Sequence, residues 1–240
     1  LYTGTGASDN AVTGVGFAPD MVWVKDRTYA ENHGLTDSVR GGTCVLTPDN
    51  TGAEACDASY MTSLDSDGFT VGSNNWMNRS TESHVAWNWL GANGTATNES
   101  GSITSTVSAN PTAGFSIVSY AGDDAASATI GHGLSAAPEL IIIKARNLAD
   151  NWLVGSSASP MSFTSSDYLI LNSNTAESSS STVWNDTAPT ASVFTVGTND
   201  LVNGSYDFIA YCFHSVEGYS KVGSFEGNNN NDGTFLYLGF

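Results

Sequence analysis

The sequence repeats itself, and this feature constrains the fold more than any other. The segment GVGFAPDMVWVKDR at 14–27 corresponds to GHGLSAAPELIIIKAR at 131–146, with Pro, Lys and Arg at equivalent positions. The motif FTVG at 69–72 recurs at 194–197. Because self-similarity at a fixed spacing marks repeat architectures, we predict two copies of one structural unit.

A third copy begins near the C-terminus. Tyr2, Tyr120 and Phe225 each lead a Gly-rich turn, and the strand pattern GFSIVS before Tyr120 corresponds to YSKVGS before Phe225. Only Leu1 precedes Tyr2, so we expect a truncated opening strand in a chain that begins inside a longer polypeptide, since it has no initiator Met and no signal peptide. The predicted organisation is a first unit at 1–91, a Ser/Thr/Asn/Gly-rich linker at 92–113 with one short strand at 102–108, a second unit at 114–217, and at 218–240 either the opening strands of a third unit or the closing strands of the second.

Short apolar runs indicate an all-β fold. They are rich in β-branched and aromatic residues, and turn sequences such as SDG at 66–68 separate them. The runs MVWVK at 21–25 and LIIIK at 140–144 are apolar on both faces, as expected for strands buried between two layers. We therefore predict tandem antiparallel β-sandwich domains that are jelly-roll-like.

The charge balance excludes several classes of partner. The 240 residues include 24 acidic and 7 basic side chains, which gives a net charge of −17. Nucleic acids and anionic membranes both require a Lys/Arg surface, so neither is expected as a partner. No apolar window reaches the roughly 18 residues of a membrane span. Ser, Thr, Asn and Gly make up 103 residues, which is typical of an extracellular or virion-exposed β protein.

Motifs for catalysis and cofactor binding are absent from the sequence. It contains no GxSxG, Walker or CxxC motif, and its four His residues lack metal-ligand spacing. We predict no catalytic residues, no metal and no cofactor, although a carboxylate pair assembled by the fold stays open. The state of the cysteines also stays open: either Cys44 and Cys56 form a disulfide, or all three cysteines are free thiols.

Two pairs of basic residues lie at the ends of equivalent strands, in a chain that otherwise has few basic residues. They are Lys25 with Arg27, and Lys144 with Arg146. We interpret them as structural groups that neutralise a local acid or cap backbone carbonyls at the edge of a sandwich. A ligand-facing role is the alternative.

Two tryptophans in polar segments are candidate ligand contacts, because β-sandwiches bind sugars with flat rings and with Asn, Asp and Arg side chains that hydrogen-bond hydroxyls. The candidate ligand-binding residues are Trp76, Asn75 and Arg79, followed by Trp184, Asn185 and Asp186. The alternative for both rings is that each folds over its own domain. Trp23, Trp87 and Trp89 lie in strand patterns and are predicted to be core residues.

The order of motifs along the chain resembles a family of phage proteins. YTGTG, GFAPDMVWVKDR, DSDGFTVG and VAWNW, followed by TSTVSANPTAGFSIVSYAG, APELIIIKAR and VWNDTAPTASVFTVG, are similar to repeat domains of tail-fibre-like and structural virion proteins of tailed, especially marine, bacteriophages. The resemblance spans essentially the whole chain. It implies an extracellular location on a virion, other virion subunits as partners and a homo-oligomer, with trimers common. It transfers no catalytic residues.

These observations favour a structural virion protein, of tail-fibre or surface-appendage type, whose loops contact host surface glycans noncovalently. One alternative is a purely structural spacer or decoration domain without a ligand. A secreted bacterial adhesin built from the same kind of module is another, and a polysaccharide-degrading tail spike is the enzymatic one.

Overall fold

Residues 1–239, which the computed structural model describes, form nineteen strands and three one-turn helices. The strands of the first half are β1 (Tyr2–Thr3), β2 (Asn10–Thr13), β3 (Met21–Asp26), β4 (Gly34–Asp37), β5 (Cys44–Val45), β6 (Ala55–Cys56), β7 (Met61–Asp65), β8 (Gly68–Val71) and β9 (Ser83–Trp89). Those that follow are β10 (Ala96–Asn98), β11 (Ser105–Asn110), β12 (Phe115–Ala121), β13 (Ala128–Gly131), β14 (Leu140–Ala145), β15 (Leu153–Ser156), β16 (Asp167–Ile170), β17 (Ser178–Ser179), β18 (Val193–Val196) and β19 (Asp207–Phe213). The helices are α1 (Asn75–Asn78), α2 (Ser181–Trp184) and α3 (Asp200–Asn203), with a 3₁₀ turn at Phe163–Ser165. The all-β prediction is confirmed.

Every pairing between these named strands is antiparallel. The first half contains a four-stranded sheet of order β1-β9-β3-β4, a three-stranded sheet β2-β8-β7 and the pair β5-β6. The second half contains an eight-stranded sheet of order β10-β11-β12-β19-β14-β15-β16-β17 and the pair β13-β18.

The two halves use the same strand order. The four-stranded sheet β1-β9-β3-β4 matches β12-β19-β14-β15, and the pair β2-β8 matches β13-β18. The one-turn helices α1 and α3 follow equivalent strands, and each begins after an Asn side chain, Asn74 or Asn199, that accepts a hydrogen bond from the backbone. The repeat in sequence therefore corresponds to a repeat in chain topology.

A tyrosine anchors each half in the same way. The Tyr120 hydroxyl donates to the Val202 carbonyl at 2.7 Å, and the Tyr2 hydroxyl donates to the equivalent carbonyl of Met77. In both halves the ring stacks on the residue opposite it in the neighbouring strand, with ring centroids 5.1 Å apart. Each tyrosine thus ties a sheet to the one-turn helix beneath it.

The repeated lysines cap backbone carbonyls, as their position predicted. Lys25 Nζ donates to the carbonyls of residues 26 and 29, and Lys144 Nζ donates to those of residues 145 and 148. Burial lowers the pKa of Lys144 to about 8. The arginines differ: Arg27 donates to the Ser83 hydroxyl, whereas Arg146 pairs with Glu54 of the other half at 2.8 Å.

The sheets form four layers, and an apolar core lies between each two neighbouring layers. The first core joins β3 to β7 and β8, and its buried residues are Val22, Val24, Val45, Met61, Phe69, Val71 and Met77. The second joins the four-stranded to the eight-stranded sheet through Met21, Leu35, Leu46, Phe115, Ile117, Trp152, Ile209 and Tyr211. The third joins the eight-stranded sheet to β13 and β18 and includes Val118, Ile130, Ile141, Ile143, Phe194 and Phe208. Met21 and Val22 lie in different cores, which explains why MVWVK is apolar on both faces.

Residues 92–113, predicted to be a linker with one strand, form two strands at the edge of the eight-stranded sheet. The strand β11 pairs with β12 along its whole length, and Ile103 and Val107 lie in the third core. The predicted short strand corresponds to β11, but composition did not show that it belongs to the sheet, because buried serines replace apolar residues. Ser105 Oγ donates to the Gly131 carbonyl at 2.7 Å, and Ser108 Oγ donates to Asp20 at 3.2 Å. Hydroxyl groups that are hydrogen-bonded in this way can be buried without a large free-energy cost.

The segment predicted to open a third unit or close the second carries no strand between residues 221 and 239. An isolated bridge joins Val216 to Ser220. Phe240, the last residue of this predicted segment, lies outside the described residues. Cys44 and Cys56 form a disulfide across β5 and β6, and Cys212 is a buried thiol.

Candidate functional site

The residues of the first predicted site lie on and beside α1 but face different neighbours. The Asn74 side chain accepts a hydrogen bond from the Trp76 backbone N–H at 2.8 Å and so fixes the start of the helix. The half-buried Trp76 ring packs on Tyr60, with centroids 5.3 Å apart, and belongs to the edge of the first core. The Arg79 guanidinium instead lies 4.3 Å from the Tyr29 ring centroid. Trp76 and Arg79 therefore do not converge on one ligand position, and Asn75 is exposed beside them.

The second predicted site is not a surface site. The Trp184 ring is fully buried, makes an edge contact with Phe163 at 5.1 Å, and donates its Nε1–H to the Asp167 carbonyl at 3.1 Å. Asn185 and Asp186 both have φ near 50°, which defines a left-handed turn after α2. The polar sequence TVWNDT covers α2 and that turn. The Trp184 ring points into the third core although its neighbours in sequence are polar.

Asp186 has a structural role in that turn. Its carboxylate accepts a hydrogen bond from the Ser166 hydroxyl at 2.8 Å, while its backbone N–H donates to the same hydroxyl oxygen at 2.9 Å. This reciprocal contact fastens the turn to the 3₁₀ segment. The burial of the ring corrects the prediction that Trp184 contacts a ligand, whereas Asn185 is half-buried and Asp186 is exposed.

A different aromatic group lies at the surface, and we call Trp23, His33 and Trp87 the tryptophan patch. Trp23 in β3 and Trp87 in β9 are direct cross-strand neighbours, with an edge-to-face contact of 6.4 Å between ring centroids. Trp87 is 47% exposed. Trp23 Nε1–H donates to His33 Nδ1 at 2.8 Å, which holds the Trp23 indole in place. The prediction that Trp87 is a core residue was wrong, because among the described residues only β3 pairs with β9 at this position, and β1 pairs with β9 only at Ser83 and His84.

The tryptophan patch adjoins a cavity of about 270 Å³ between the four-stranded and eight-stranded sheets. Trp23 belongs to the patch and also lines the cavity, together with Trp89, Trp152 and Tyr211. The Trp152 Nε1–H donates to the Thr47 carbonyl at 3.0 Å, so its polar atom is satisfied away from the cavity. The patch and the cavity together present mainly flat apolar surface.

His33 is neutral in this arrangement. Burial lowers its pKa below the usual 6.5, Asp49 raises it and Lys25 lowers it again. A neutral imidazole is required, because Nδ1 accepts the hydrogen bond from Trp23 and the protonated ring has no acceptor. The backbone N–H of His33 donates to Asp49 Oδ1 at 3.0 Å, which places the ring beside the indole.

We expect the tryptophan patch to loosen as the pH falls below 6.5. Because the folded-state pKa of His33 is lowered, the unfolded state takes up the proton first, so stability falls with pH through that window. His132, whose pKa burial also lowers, contributes in the same window. The His33→Gln variant should therefore lose part of the pH dependence of the urea midpoint between pH 7.5 and 5.5. An unchanged pH dependence in that variant would contradict this role of His33.

Three buried polar atoms meet where Asp26 of β3 lies opposite His84 of β9, in the first half alone. Asp26 Oδ2 lies 3.4 Å from Arg79 Nε and 3.9 Å from His84 Nε2, and none of the three has a hydrogen-bond partner. Burial raises the Asp26 pKa, but the backbone N–H groups of residues 28 and 29 and the nearby cations lower it below its usual range overall. The equivalent positions in the second half are Ala145, Gly204 and Phe208. A comparison of the two copies could have singled out this cluster from sequence.

A buried ion network joins the two halves. Arg40 Nε lies 2.6 Å from Asp37 Oδ2, and both side chains are fully buried. Tyr211 of the second half donates its hydroxyl to the same carboxylate at 2.6 Å. Arg40 also pairs with Glu54 at 2.8 Å, and Glu54 pairs with Arg146. Burial raises the Glu54 pKa, but hydrogen bonds from both arginines bring it below its usual range.

A potential metal-ligand group lies at the end of this network. Cys44, Glu54 and Cys56 lie within ligand distance of one another. Both sulfurs belong to the disulfide, so neither is a thiolate that could bind a metal ion. Among residues 1–239, no helix is long and apolar enough to span a membrane.

The fold and these sites define an all-β protein of stacked antiparallel sheets with an ordered pair of indoles, in which Trp23 is partly buried and Trp87 is exposed. The chain belongs to the family described as a domain of unknown function, DUF7483, whose model matches residues 1–240. No curated protein and no solved structure was found to match it.

Proposed function

We propose that this protein is a structural virion protein of a tailed phage, of tail-fibre or surface-appendage type, that contacts host surface glycans noncovalently through the tryptophan patch. In this proposal each half is a jelly-roll-like β-sandwich, the two sandwiches are tandem repeats, and the protein lies outside the cell on the particle. The motif order described above supports the assignment to a virion. The shared strand order of the two halves supports the repeat.

The observation that carries glycan contact is the exposed, fixed indole of Trp87. Flat aromatic rings bind the apolar faces of sugars, and a ring that is already ordered loses little conformational entropy on binding. Trp23 fixes Trp87 from one side and is itself fixed by His33. The acidic chain adds solubility and disfavours nonspecific contact with other polyanions.

The three carboxyl groups with a clearly shifted pKa are not shifted in the direction that a glycosidase acid needs. A glycosidase acid needs a raised pKa, whereas the carboxyl groups with a clearly shifted pKa, Asp26, Glu54 and Asp57, all have lowered values. Asp37 and Glu54 are already paired with guanidinium groups. These contacts are those of a structural protein.

The test is binding of the purified protein to polysaccharide extracted from host cells. We expect saturable binding that weakens by at least about tenfold in Trp87→Ala, which corresponds to ~1.4 kcal/mol. The matched control is Leu169→Ala, which truncates an exposed apolar side chain in β16 and should bind like the unmodified protein. Equal binding by both variants would contradict glycan contact through the tryptophan patch.

A spacer or decoration domain without a ligand is the second candidate function. It is favoured by the burial of Trp184 and by the packing of Trp76 against Tyr60, since both tryptophans first considered for ligand contact serve their own domain. Absence of polysaccharide binding by the correctly folded protein would support this candidate.

A further inference from the structure

A loop of the first half reaches across to the second half. We call residues 44–56, which include β5 and β6, the docking loop. The Glu54 backbone N–H donates to the Arg146 carbonyl at 2.7 Å, and the Glu54 carboxylate pairs with the Arg146 guanidinium at 2.8 Å. The Thr47 carbonyl accepts the indole N–H of Trp152 at 3.0 Å. The docking loop therefore supplies both backbone and side-chain contacts between the two halves.

The base of the docking loop is held by a disulfide and by very short strands. β5 and β6 have two residues each, and they pair as Cys44 with Cys56 and Val45 with Ala55. A strand pair of this length has little stability of its own. The disulfide joins the same two strands across 12 positions of sequence, and this covalent closure restricts the conformations that the loop can adopt away from the second half. The position of Glu54 on the second half therefore depends on the disulfide.

The disulfide and the ion pairs beside it distinguish the first copy of the repeat from the second. In the second half, Ser156 stands at the position of Asp37. The second half has one cysteine, Cys212, which is a buried thiol in β19. The second copy thus keeps the strand order of the unit without these groups. Their role therefore lies in the contact between the halves and not in the fold of the unit itself.

A small thiol in solution can reach this disulfide, because Cys56 is exposed and Cys44 is half-buried. The thiolate of the reductant attacks Cys56 Sγ, forms a mixed disulfide and releases Cys44 as a thiolate, which takes up a proton. A second molecule of the reductant then displaces Cys56 from the mixed disulfide. The products are two protein thiols and one disulfide of the reductant, and the reverse exchange closes the bond again.

We propose that the Cys44–Cys56 disulfide is a redox latch on the contact between the two halves. In the oxidised protein it holds Glu54 on Arg146. In the reduced protein residues 48–56 leave the second half, and both contacts of Glu54 with Arg146 are lost.

The open latch weakens the contact between the halves without separating them. Arg40 keeps its buried partner Asp37 at 2.6 Å, although it loses Glu54, and the second core still joins the two sheets. Cytosolic thiols keep cysteine pairs of this kind reduced, whereas an oxidising medium closes them. The latch is then open while the chain is made and closed outside the cell. This last consequence rests on the extracellular location in the proposed function, whereas the latch itself does not.

Hydrogen exchange of the purified protein before and after reduction tests the latch directly. The gain of two hydrogens in the mass of the protein shows that reduction is complete. We expect the Glu54 backbone N–H, which bonds across the halves, to exchange at least about tenfold faster in the reduced protein. The matched control is the Arg146 backbone N–H, which donates to the Asp207 carbonyl at 2.7 Å within the second half and should keep its rate. The double variant C44S with C56S should exchange like the reduced protein, with or without reductant.

A second measurement separates a latch from general stabilisation by a disulfide. Arg146→Met removes the second-half partner of Glu54 and should lower the urea midpoint of the oxidised protein. In the reduced protein the same substitution should have less than about half that effect, because Glu54 has already left Arg146. The control, Arg27→Met, changes the equivalent cation of the first half and should give the same small shift in both redox states.

Three results would overturn the proposal. They are an unchanged exchange rate of the Glu54 N–H on reduction, an equal acceleration of the Arg146 N–H, and equal effects of Arg146→Met in the two redox states. Neither measurement uses polysaccharide, so its outcome is independent of the test of glycan binding.

Discussion

Replacing Arg40 by Met is expected to lower the free energy of unfolding by about 3–5 kcal/mol, because the substitution leaves a fully buried carboxylate without its partner. Arg40 Nε contacts Asp37 at 2.6 Å, and its NH2 group donates to the Leu35 carbonyl at 3.0 Å. The Tyr211 hydroxyl and the backbone N–H of residue 40 would then be left as donors to the Asp37 carboxylate, without a positive charge beside it. Urea denaturation followed by near-ultraviolet circular dichroism measures the loss.

Two controls separate the buried charge from other effects of this substitution. Arg27→Met removes an exposed guanidinium that contacts only the Ser83 hydroxyl, and we expect a change within about 0.5 kcal/mol. The double variant R40M with D37L replaces the buried pair by apolar side chains and should recover much of the lost stability. A loss below about 1 kcal/mol in Arg40→Met would contradict the role of this pair.

The second large effect is expected for Trp184→Ala, which should lower the free energy of unfolding by about 3–5 kcal/mol through loss of buried contacts and creation of a cavity. The ring is fully buried against Phe163, and its Nε1–H bond to the Asp167 carbonyl is lost as well. The matched control is Trp87→Ala, the same truncation at a 47% exposed ring, with an expected loss below about 1 kcal/mol. Similar losses in the two variants would contradict the assigned burial of these rings.

The sequence predicted the repeat, the all-β class and the double-sided strands because each depends on local pattern. Alternating and continuous apolar runs report burial directly, so β3 and β14 were recognisable as strands between layers. The position of Lys25 and Lys144 at equivalent strand ends predicted that each neutralises a local acid or caps backbone carbonyls, and the structure shows carbonyl capping.

The site residues were harder to predict, because the exposure of a side chain depends on the sheet edge or the turn at which it lies. Trp184 lies among polar residues, but a left-handed turn at Asn185 directs the ring inward. Trp87 has the pattern of a core residue, yet β1 pairs with β9 only at Ser83 and His84 among the described residues, and the indole is exposed. The partners Asp37 and Tyr211 are 174 residues apart, so their contact is set by the stacking of the two halves.

The measurement that tests the central claim most directly is titration of host polysaccharide into ¹⁵N-labelled protein, followed through the indole N–H resonances of its six tryptophans. Assignment by single Trp→Phe variants distinguishes the rings. The account predicts saturable shifts for Trp87 and Trp23, with the buried Trp152 and Trp184 unchanged. Saturable shifts confined to Trp76, or polysaccharide binding that leaves Trp87 unperturbed, would contradict it.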